Sequence, residues 1–467
     1  MQTAPKQAPD LVRELNAWHS TAIVVGTIIG SGIFLVPAEM MQAVGSARMV
    51  YLAWIVGGLL SFFGAMTYAE LGALRPWAGG EYVYIRDAYG PLPGFLYAWT
   101  WFLIAKPASI ASVTSGLVRV LGNFSAFGFL PHPIIELHGS SGHGYELTYG
   151  HLLAIAATIL ITALNYLGVR KAGNFQLVMT TLKVVMIAVI IVAGFSATTG
   201  TWSNFSTTFL GAKGGMAGFM AALVAALWAY DGWNDLNMVS GEIRNPERSI
   251  PLALIAGVAI VAVLYVGVNA AVQYVMPASA VAASPVPAST ATQIAIGRMG
   301  ALLVSAGMAL SMFVTLNGTI MSGGRIPFAV SRDGYFFKSL AEVHPRFHTP
   351  GLALIVQCVM AVVLLLGGGS FRDFLELAIF SEWLFYMIAA STIFVFRQRE
   401  PNAVRPYRAW GYPVMPALFV VAAAVLLYFT FMDKLHHSLV GTIAMTLVIL
   451  AGVPVFWYFA RQKRVRG

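Results

Sequence analysis

The chain has 467 residues, of which 58% are hydrophobic and only 10% charged, and its mean hydropathy is +0.75. Soluble domains carry roughly 25% charged residues, so this composition excludes a soluble globular protein and predicts an integral membrane protein. The net charge of +9 does not indicate nucleic-acid binding, because the basic residues are scattered through short loops. An excess of Lys and Arg in cytoplasmic loops is usual in membrane proteins.

Apolar stretches recur along the whole chain after a polar start. Residues 1–16 lack the apolar core and cleavage site of a secretory signal, and they are interpreted as a cytoplasmic tail. A membrane-spanning helix needs about 20 apolar residues, so the sequence predicts an all-α polytopic protein with twelve transmembrane helices. The predicted spans are 17–43, 50–74, 91–121, 151–169, 175–198, 214–240, 250–276, 298–326, 351–368, 373–396, 412–432 and 438–460.

These spans divide into two groups of five and a final pair. The first repeat covers 17–198, the second covers 214–396, and two accessory helices cover 412–460, followed by a basic tail at 461–467. The connections are also interpreted: residues 75–90 as a re-entrant or interfacial segment, 277–297 as an external loop and 331–348 as a short cytoplasmic helix.

The charges of the loops predict the orientation. With both termini in the cytoplasm, 20 of the 28 Lys and Arg residues fall on the cytoplasmic side and 6 on the external side, while Lys106 and Lys183 fall inside spans. This asymmetry follows the positive-inside rule. It predicts a multi-pass protein of the cell inner membrane with both termini cytoplasmic.

The first span, VVGTIIGSGIFLVPAEM, has Gly26, Gly30, Ser31 and Gly32 crowded into its middle. Glycine costs about 1 kcal/mol relative to alanine in a helix interior, so the pattern favours a broken helix at membrane depth. The alternative is an unbroken helix that packs closely through small residues.

The sixth span, AALWAYDGWNDLNMVSGEIRNP, is interrupted by Asp231 and Gly232. An acidic residue at mid-membrane costs about 2.5–3.5 kcal/mol on insertion scales, so such a residue usually faces a cavity. The alternative is an Asp near the helix end that is solvated from the cytoplasm.

The two interruptions occupy matching places, each in the first long helix of a five-helix group. Because five is odd, the second group enters from the opposite side, which predicts an inverted repeat with a substrate site at the two breaks. Exposed N–H groups at a half-helix N-terminus suit a carboxylate, and freed carbonyls suit an ammonium group. The predicted contacts to an amino acid substrate are Ile28, Gly30, Ser31, Gly32, Ile33, Trp228 and Asp231.

Three motifs resemble signatures of one transporter family. They are GTIIGSGIF at 26–34, WAYDGWNDLNMVSGEIRNPERSIP at 228–251 and TLNGTIMSGGRIPFAVSRDGYFF at 315–337. The chain resembles the amino acid–polyamine–organocation (APC) superfamily, and within it the L-type amino acid transporters. The resemblance implies ten core helices in an inverted repeat, two further C-terminal helices, and sodium-independent exchange of amino acids by a rocking bundle.

The resemblance also implies roles for individual residues. Ile28, Ser31 and Gly32 would bind the substrate main chain. Trp228 would be an aromatic gate, with an ordinary packing tryptophan as the alternative, and Asn234 would help to shape the site. Lys183 in the fifth span would take the place that sodium holds in sodium-coupled relatives and would bond carbonyls of the broken first span.

Some features depart from the family pattern. The family commonly has a small residue at the position of Asp231, and Lys106 in the third span is a possible charge partner for it. Glu376 and Glu382 in the tenth span are candidates for a proton route. Eukaryotic members attach a glycoprotein subunit through an external cysteine, whereas the single cysteine here, Cys358, lies in an apolar run. We therefore expect no disulfide-linked heavy subunit.

The sequence thus predicts a secondary transporter rather than an enzyme, and most specifically an exchanger of neutral L-amino acids by alternating access. The expected partners are the substrate and the lipid bilayer, with no nucleic acid, cofactor or metal. Neither GxxxxGK[ST] nor HExxH occurs, so no motif supports ATP hydrolysis or catalysis. The alternatives are a proton-coupled amino acid symporter, a cationic amino acid or polyamine transporter on the same fold, and an amino-acid-binding membrane sensor.

Overall fold

The computed structural model describes residues 10–122, 124–137, 145–367, 371–437 and 439–466, without the side chains of 371–381, 430, 433–445 and 465–466. The described chain is almost entirely helical, with one small β-hairpin. The first half comprises α1 Ala17–Ile28, α2 Gly32–Val44, α3 Ala47–Leu74, α4 Glu81–Tyr89, α5 Pro91–Thr100, α6 Lys106–Leu121, β1 Pro133–Leu137, β2 Tyr145–Thr148, α7 Tyr149–Tyr166 and α8 Val169–Phe195.

The second half continues in the same manner. It comprises α9 Gly215–Ala229, α10 Asp235–Met238, α11 Pro246–Val275, α12 Ala278–Ala283, α13 Pro287–Ile296, α14 Arg298–Gly323, α15 Arg325–Arg332, α16 Gly351–Leu366, α17 Phe371–Arg399, α18 Val414–His437 and α19 Leu439–Arg466.

Within the described residues, six helical segments are long and apolar enough to cross a membrane, and a seventh is added if α1 and α2 are counted as one bent span. Helices α5 and α6 form one of these segments, because a π-helical stretch at Trp101–Ala105 joins them without a break. The protein is therefore a multi-pass helical membrane protein. The count of twelve spans and the inverted repeat stay predictions.

The first span is interrupted, as the sequence predicted. Helix α1 begins at a capping box, in which Asn16 Oδ1 accepts from the His19 N–H at 3.0 Å, and it ends at Ile28. Helix α2 begins at Gly32, bent by 40° relative to α1. The sixth span is also interrupted, since α9 ends at Ala229 and the short α10 begins only at Asp235.

Helix α1 packs against α8, α11 and α14, and α9 packs against α2 and α3. The short α10 contacts both α1 and α14, while α6 packs against α14 and α17. Both interruptions are therefore enclosed by long helices, which places the candidate site in the interior of the bundle.

One predicted connection is wrong, and the structure adds detail to the others. The helix predicted over 331–348 is absent, because α15 ends at Arg332 and only a short 3-10 turn at Lys338–Ala341 follows. The predicted loop 277–297 contains α12 and α13, whose prolines at the N-terminal positions suit a helix start. Residues 461–466 continue α19 rather than forming a separate tail. The segment 75–90 contains α4, most of which is buried.

Candidate functional site

The break in the first span exposes backbone groups on both sides. No hydrogen-bond acceptor in the described structure pairs with the backbone N–H groups of Ser31, Gly32 and Ile33, which form the N-terminus of α2. These groups are the unpaired donors that every helix start carries. A stretch of three such donors in the interior suits an anionic group of a ligand.

The carbonyls at the same break are already bonded. Lys183 Nζ on α8 donates to Gly26 O at 2.9 Å, to Ile29 O at 2.6 Å and to Ser311 O at 3.1 Å. Lys183 is 1% exposed, so its charge is compensated by carbonyl dipoles rather than by water. The sequence prediction that Lys183 bonds carbonyls of the broken first span agrees with these contacts.

Two hydroxyl groups of α14 complete the binding of these carbonyls. Ser311 Oγ donates to Ile29 O at 2.7 Å, and Thr315 Oγ1 lies 3.1 Å from Gly26 O. The first break is therefore held by the fifth and eighth spans together. Sequence reasoning did not identify these two hydroxyls, although Thr315 opens one of the motifs.

The two breaks touch each other. Thr27 Oγ1 lies 2.8 Å from Gly232 O, and Gly232 has a φ of +106°, a conformation that L side chains rarely adopt. A Cβ atom at Gly232 would lie 3.1 Å from the backbone C and O atoms of Thr27. Glycine is thus required here both by the backbone angle and by the close approach.

A second contact connects the two breaks through a residue that the sequence did not indicate. The hydroxyl of Tyr265 on α11 lies 3.1 Å from Ile28 O and 2.7 Å from Ala229 O, the last carbonyls of α1 and α9. The carbonyl of Ile28 was expected to accept from a substrate ammonium group. It also accepts from the Gly30 N–H at 2.8 Å, so both of its lone pairs are already engaged in this structure.

A cavity lies between the two breaks. Its volume is about 120 Å³, several times the roughly 10–15 Å³ that one water needs on this measure, so it has room for a small solute. Of the predicted site residues, those that line it are Ile28, Gly30, Ser31, Gly32, Lys106, Trp228, Asp231 and Asn234.

Two predicted residues lie behind this lining. Ile33 is 0% exposed and packs in the core, so its side chain takes no part in the lining. Lys183 also lies outside the lining, behind the first break. Trp228 lies beside the break, because a Cβ atom on Gly32 would be 3.5 Å from its ring and 3.1 Å from Ala229 Cβ.

The acidic part of the cavity differs from the sequence prediction. Lys106 Nζ forms its ion pair with Asp235 Oδ1, and both side chains are almost fully buried. The predicted pairing of Lys106 with Asp231 is therefore wrong. Asp235 begins α10, four residues further along the chain, and that short helix carries its carboxylate to α6.

Two carboxylates remain without a cationic partner in the described part of the chain. Asp231 Oδ1 is shielded from solvent and has no hydrogen-bond partner there. Among the residues with described side chains, Glu382 on α17 accepts from Ser109 Oγ at 3.2 Å. Both line the same cavity, which therefore holds more acidic than basic groups.

Asn234 is anchored on the other side of this cluster. Its Nδ2 donates to Glu81 Oε1 at 2.7 Å, and its Oδ1 accepts from the Tyr386 hydroxyl at 3.2 Å. Glu81 also accepts from the Tyr97 hydroxyl at 3.2 Å. The fully buried Glu81 was not identified from the sequence, although a carboxylate in the Gly-rich segment between two spans was a usable signal.

Comparison with known proteins gives the family. A sequence profile described as amino acid permease matches residues 15–453. The chain belongs to the amino acid permease family. Because that range includes both breaks, the cavity and the Lys183 contacts, all of the geometry described above lies within the matched region.

Named relatives extend over nearly the whole permease chain. It is 31% identical over 458 residues to the serine/threonine exchanger SteT of Bacillus subtilis, covering 97% of this chain and 98% of that protein. It is 30% identical to the b(0,+)-type amino acid transporter 1 of Homo sapiens, covering 99% and 91% of the two chains. It is 31% identical to the human cystine/glutamate transporter, covering 96% and 85%.

A buried ion pair joins α15 to the segment that follows α10. Arg325 donates through Nε to Glu242 Oε2 at 2.7 Å and through Nη2 to Glu242 Oε1 at 2.9 Å, with both side chains 0% exposed. The backbone carbonyl of Glu242 accepts from the N–H groups of Glu14 and Leu15, each at 2.9 Å. The segment just before α1 is thus bonded to the segment that follows α10.

An ion pair at the surface also involves α15. Arg332 Nη1 lies 2.7 Å from Asp10 Oδ1, and the hydrogen bond from Arg332 holds the pKa of the Asp10 carboxyl below its ordinary value. The neighbouring Asp333 pairs with Arg86 and accepts from Tyr82. Sequence reasoning did not identify this network, because Arg86 and Arg332 were counted only as loop charges.

Proposed function

We propose that the permease is a sodium-independent exchanger of neutral L-amino acids that works by alternating access. The observation that supports this proposal most directly is the cavity between two broken helices, which offers unpaired N–H donors on one side and a carboxylate-rich wall on the other. An amino acid carries one anionic and one cationic group, so it complements both. Several relatives at about 30% identity are named as amino acid exchangers or transporters.

In this mechanism the substrate carboxylate binds the N–H groups at the start of α2. The backbone, through Ser31, Gly32 and Ile33, supplies these donors, and Gly30 leaves room for close approach. The α-ammonium group binds near Asp231, whose Oδ1 lies at the second break and has no hydrogen-bond partner in the described structure. Trp228 covers the bound substrate. In this proposal the site residues predicted from the sequence recognise the main chain of the substrate. The variable side chain of the substrate extends toward other spans.

Sodium independence is supported by Lys183. Its ammonium group already bonds the carbonyls of Gly26 and Ile29 that a cation would otherwise need. A resident cation site at this break would have to displace a buried charged group, which is costly. Coupling to sodium is therefore disfavoured by the same contacts that hold the break open.

The architecture we propose is the one that the sequence predicts. Twelve spans form two inverted five-helix repeats at 17–198 and 214–396, with two accessory helices at 412–460, in the inner membrane with both termini cytoplasmic. The asymmetry of loop charges supports the orientation. We further propose that the chain acts as a transporter rather than an enzyme, needs no cofactor and works without a disulfide-linked partner.

Counterflow in proteoliposomes tests this function. Vesicles loaded with an unlabelled amino acid are expected to accumulate the labelled one without sodium and without a pH gradient, whereas empty vesicles accumulate almost none. A panel of unlabelled amino acids inside the vesicles identifies the substrates. Uptake into empty vesicles that follows an imposed proton gradient would instead establish proton-coupled symport.

A second candidate is transport of cationic amino acids or polyamines, and one observation favours it. Asp231 and Glu382 both line the cavity, and neither has a cationic partner in the described chain. A second positive charge on the substrate would compensate one of them. Counterflow of arginine and of serine, each measured in the wild type and in Asp231→Asn, separates the two candidates. If the protein carries cationic substrates, the variant should lose more arginine counterflow than serine counterflow.

A membrane sensor belongs to a different class of function. It would bind an amino acid without moving it, so the same vesicles would show saturable binding and no counterflow. The exchange proposal predicts both.

A further inference from the structure

A groove separate from the central cavity lies at the end of the last helix. The junction of α4 and α5 at residues 89–93 forms one side of its lining, and α19 forms another through Phe456, Trp457, Lys463 and Arg464. Tyr335 also lines the groove, and the volume of the groove is about 670 Å³. It shares no lining residue with the cavity between the two broken helices.

The groove lies where two apolar segments end. Helix α19 is apolar as far as Ala460 and then continues as Arg-Gln-Lys-Arg, and α5 begins at Pro91 with its apolar residues after it. The two helices are joined because the Trp99 indole donates to Val448 O at 2.9 Å. In the proposed membrane arrangement, on which this inference rests, the polar half of the groove lies at the membrane–water boundary and its apolar half continues toward the hydrocarbon.

The apolar half is open to a ligand. Phe456 packs against Phe95 with ring centroids 5.6 Å apart, which forms a firm wall, while Trp457 beside it is 47% exposed. Exposed tryptophan at the boundary of a membrane protein contacts lipid, since its ring is apolar and its N–H is polar. An acyl chain can therefore lie along this wall.

The polar half is cationic. Lys463 Nζ donates to the backbone carbonyl of Asp333 at 2.7 Å and lies 4.1 Å from the centre of the Tyr335 ring, so its position is fixed while part of its donor capacity stays free. Neither Lys463 nor Arg464 forms an ion pair with a carboxylate in the described residues, and the Asp333 carboxylate is engaged by Arg86. An anionic ligand would therefore complement the charges of Lys463 and Arg464.

We propose that this groove binds an anionic phospholipid, with its phosphate on Lys463 and Arg464 and an acyl chain against Trp457. Basic pockets beside transmembrane helices bind anionic lipid head groups through this combination of charge and apolar wall. The bound lipid would hold the junction at 89–93, Tyr335 and α19 together, three parts of the chain that are far apart in sequence.

Fluorescence quenching tests the site on the full chain in phosphatidylcholine vesicles. Brominated phosphatidylglycerol, added in increasing proportion, is expected to quench Trp457 at a lower proportion than brominated phosphatidylcholine does. The signal of Trp457 is obtained by subtracting the Trp457→Phe variant. Each basic residue near an anionic surface contributes roughly a fivefold change in affinity, so the Lys463→Gln/Arg464→Gln double variant should need about 30 times more phosphatidylglycerol for half-quenching.

Arg461→Gln is the matched control, because Arg461 is exposed on the same helix and does not line the groove. Its quenching curve should equal that of the wild type. Three results would overturn the proposal: equal quenching by the two brominated lipids, an unchanged curve for the double variant, or relief of quenching by soluble glycerol phosphate at the same concentration, which would indicate a free phosphate site. Intact counterflow in the double variant would show that it is folded.

Discussion

The contacts of Lys183 allow a quantitative prediction for Lys183→Met, which keeps the length of the side chain and removes its charge. The ammonium group makes three hydrogen bonds of 2.6–3.1 Å to buried carbonyls. A hydrogen bond to a charged group contributes about 1.5–3 kcal/mol. The sum over three such bonds is an upper limit on the stabilisation that the variant loses.

The loss is smaller because two of the acceptors keep another donor. Ser311 Oγ still bonds Ile29 O, and Thr315 Oγ1 still bonds Gly26 O. Removing a buried charge also relieves its desolvation. We therefore expect about 2–4 kcal/mol less stabilisation of the first break, and a counterflow rate lowered by roughly 30-fold or more, since each 1.4 kcal/mol is a factor of ten.

The assay is counterflow in proteoliposomes together with thermal unfolding in detergent. Lys171→Met is the matched control, because Lys171 is exposed near the start of the same helix and should leave both measurements unchanged. If Lys183→Met exchanged amino acids at the wild-type rate, the reasoning about the first break would be refuted. If it also unfolded at the wild-type temperature, the three hydrogen bonds would contribute nothing measurable.

Three further outcomes follow from the geometry. Gly232→Ala should lower both stability and counterflow by more than Gly90→Ala, because both glycines have positive φ values but a Cβ atom at Gly90 meets nothing within 4 Å; equal effects in thermal unfolding would show that backbone strain alone matters. Arg325→Met should cost about 3–5 kcal/mol in thermal unfolding by leaving Glu242 buried and unpaired, and adding Glu242→Leu should restore part of it, because a buried pair costs most when only one partner is removed; a double variant less stable than the single one would contradict this. The surface ion pair of Asp10 should persist above the ordinary pKa of about 3.9 and be lost as the pH falls through the lowered pKa of the folded protein. Hydrogen exchange of residues 10–16, corrected for its intrinsic pH dependence, should then increase below about pH 4, and constant protection would count against it.

The sequence predicted features whose cause is local. Glycines crowded into an apolar span weaken a helix at that point, and an aspartate at mid-membrane requires a polar surrounding. For this reason the breaks near Ser31 and near Gly232 could be predicted from the residues of each span alone. The position of Lys183 opposite the first break came from the family resemblance and agrees with the observed contacts.

What the sequence could not supply is pairing between distant segments. Asp231 and Asp235 are both acidic and only four residues apart, so spacing alone gave no means to decide which one faces Lys106. The turn between α9 and α10 made that choice. Tyr265 was hidden for a similar reason: one tyrosine in a long apolar helix carries no local sign that its hydroxyl will lie between two helix ends.

The ion pair between Glu242 and Arg325 has a consequence for the proposed alternating access. Both side chains are fully excluded from solvent, and separating opposite charges in a dry environment costs several kcal/mol per ion. Once water reaches them, most of that cost disappears. The proposed alternating access therefore predicts that any opening between these two residues begins with the entry of water.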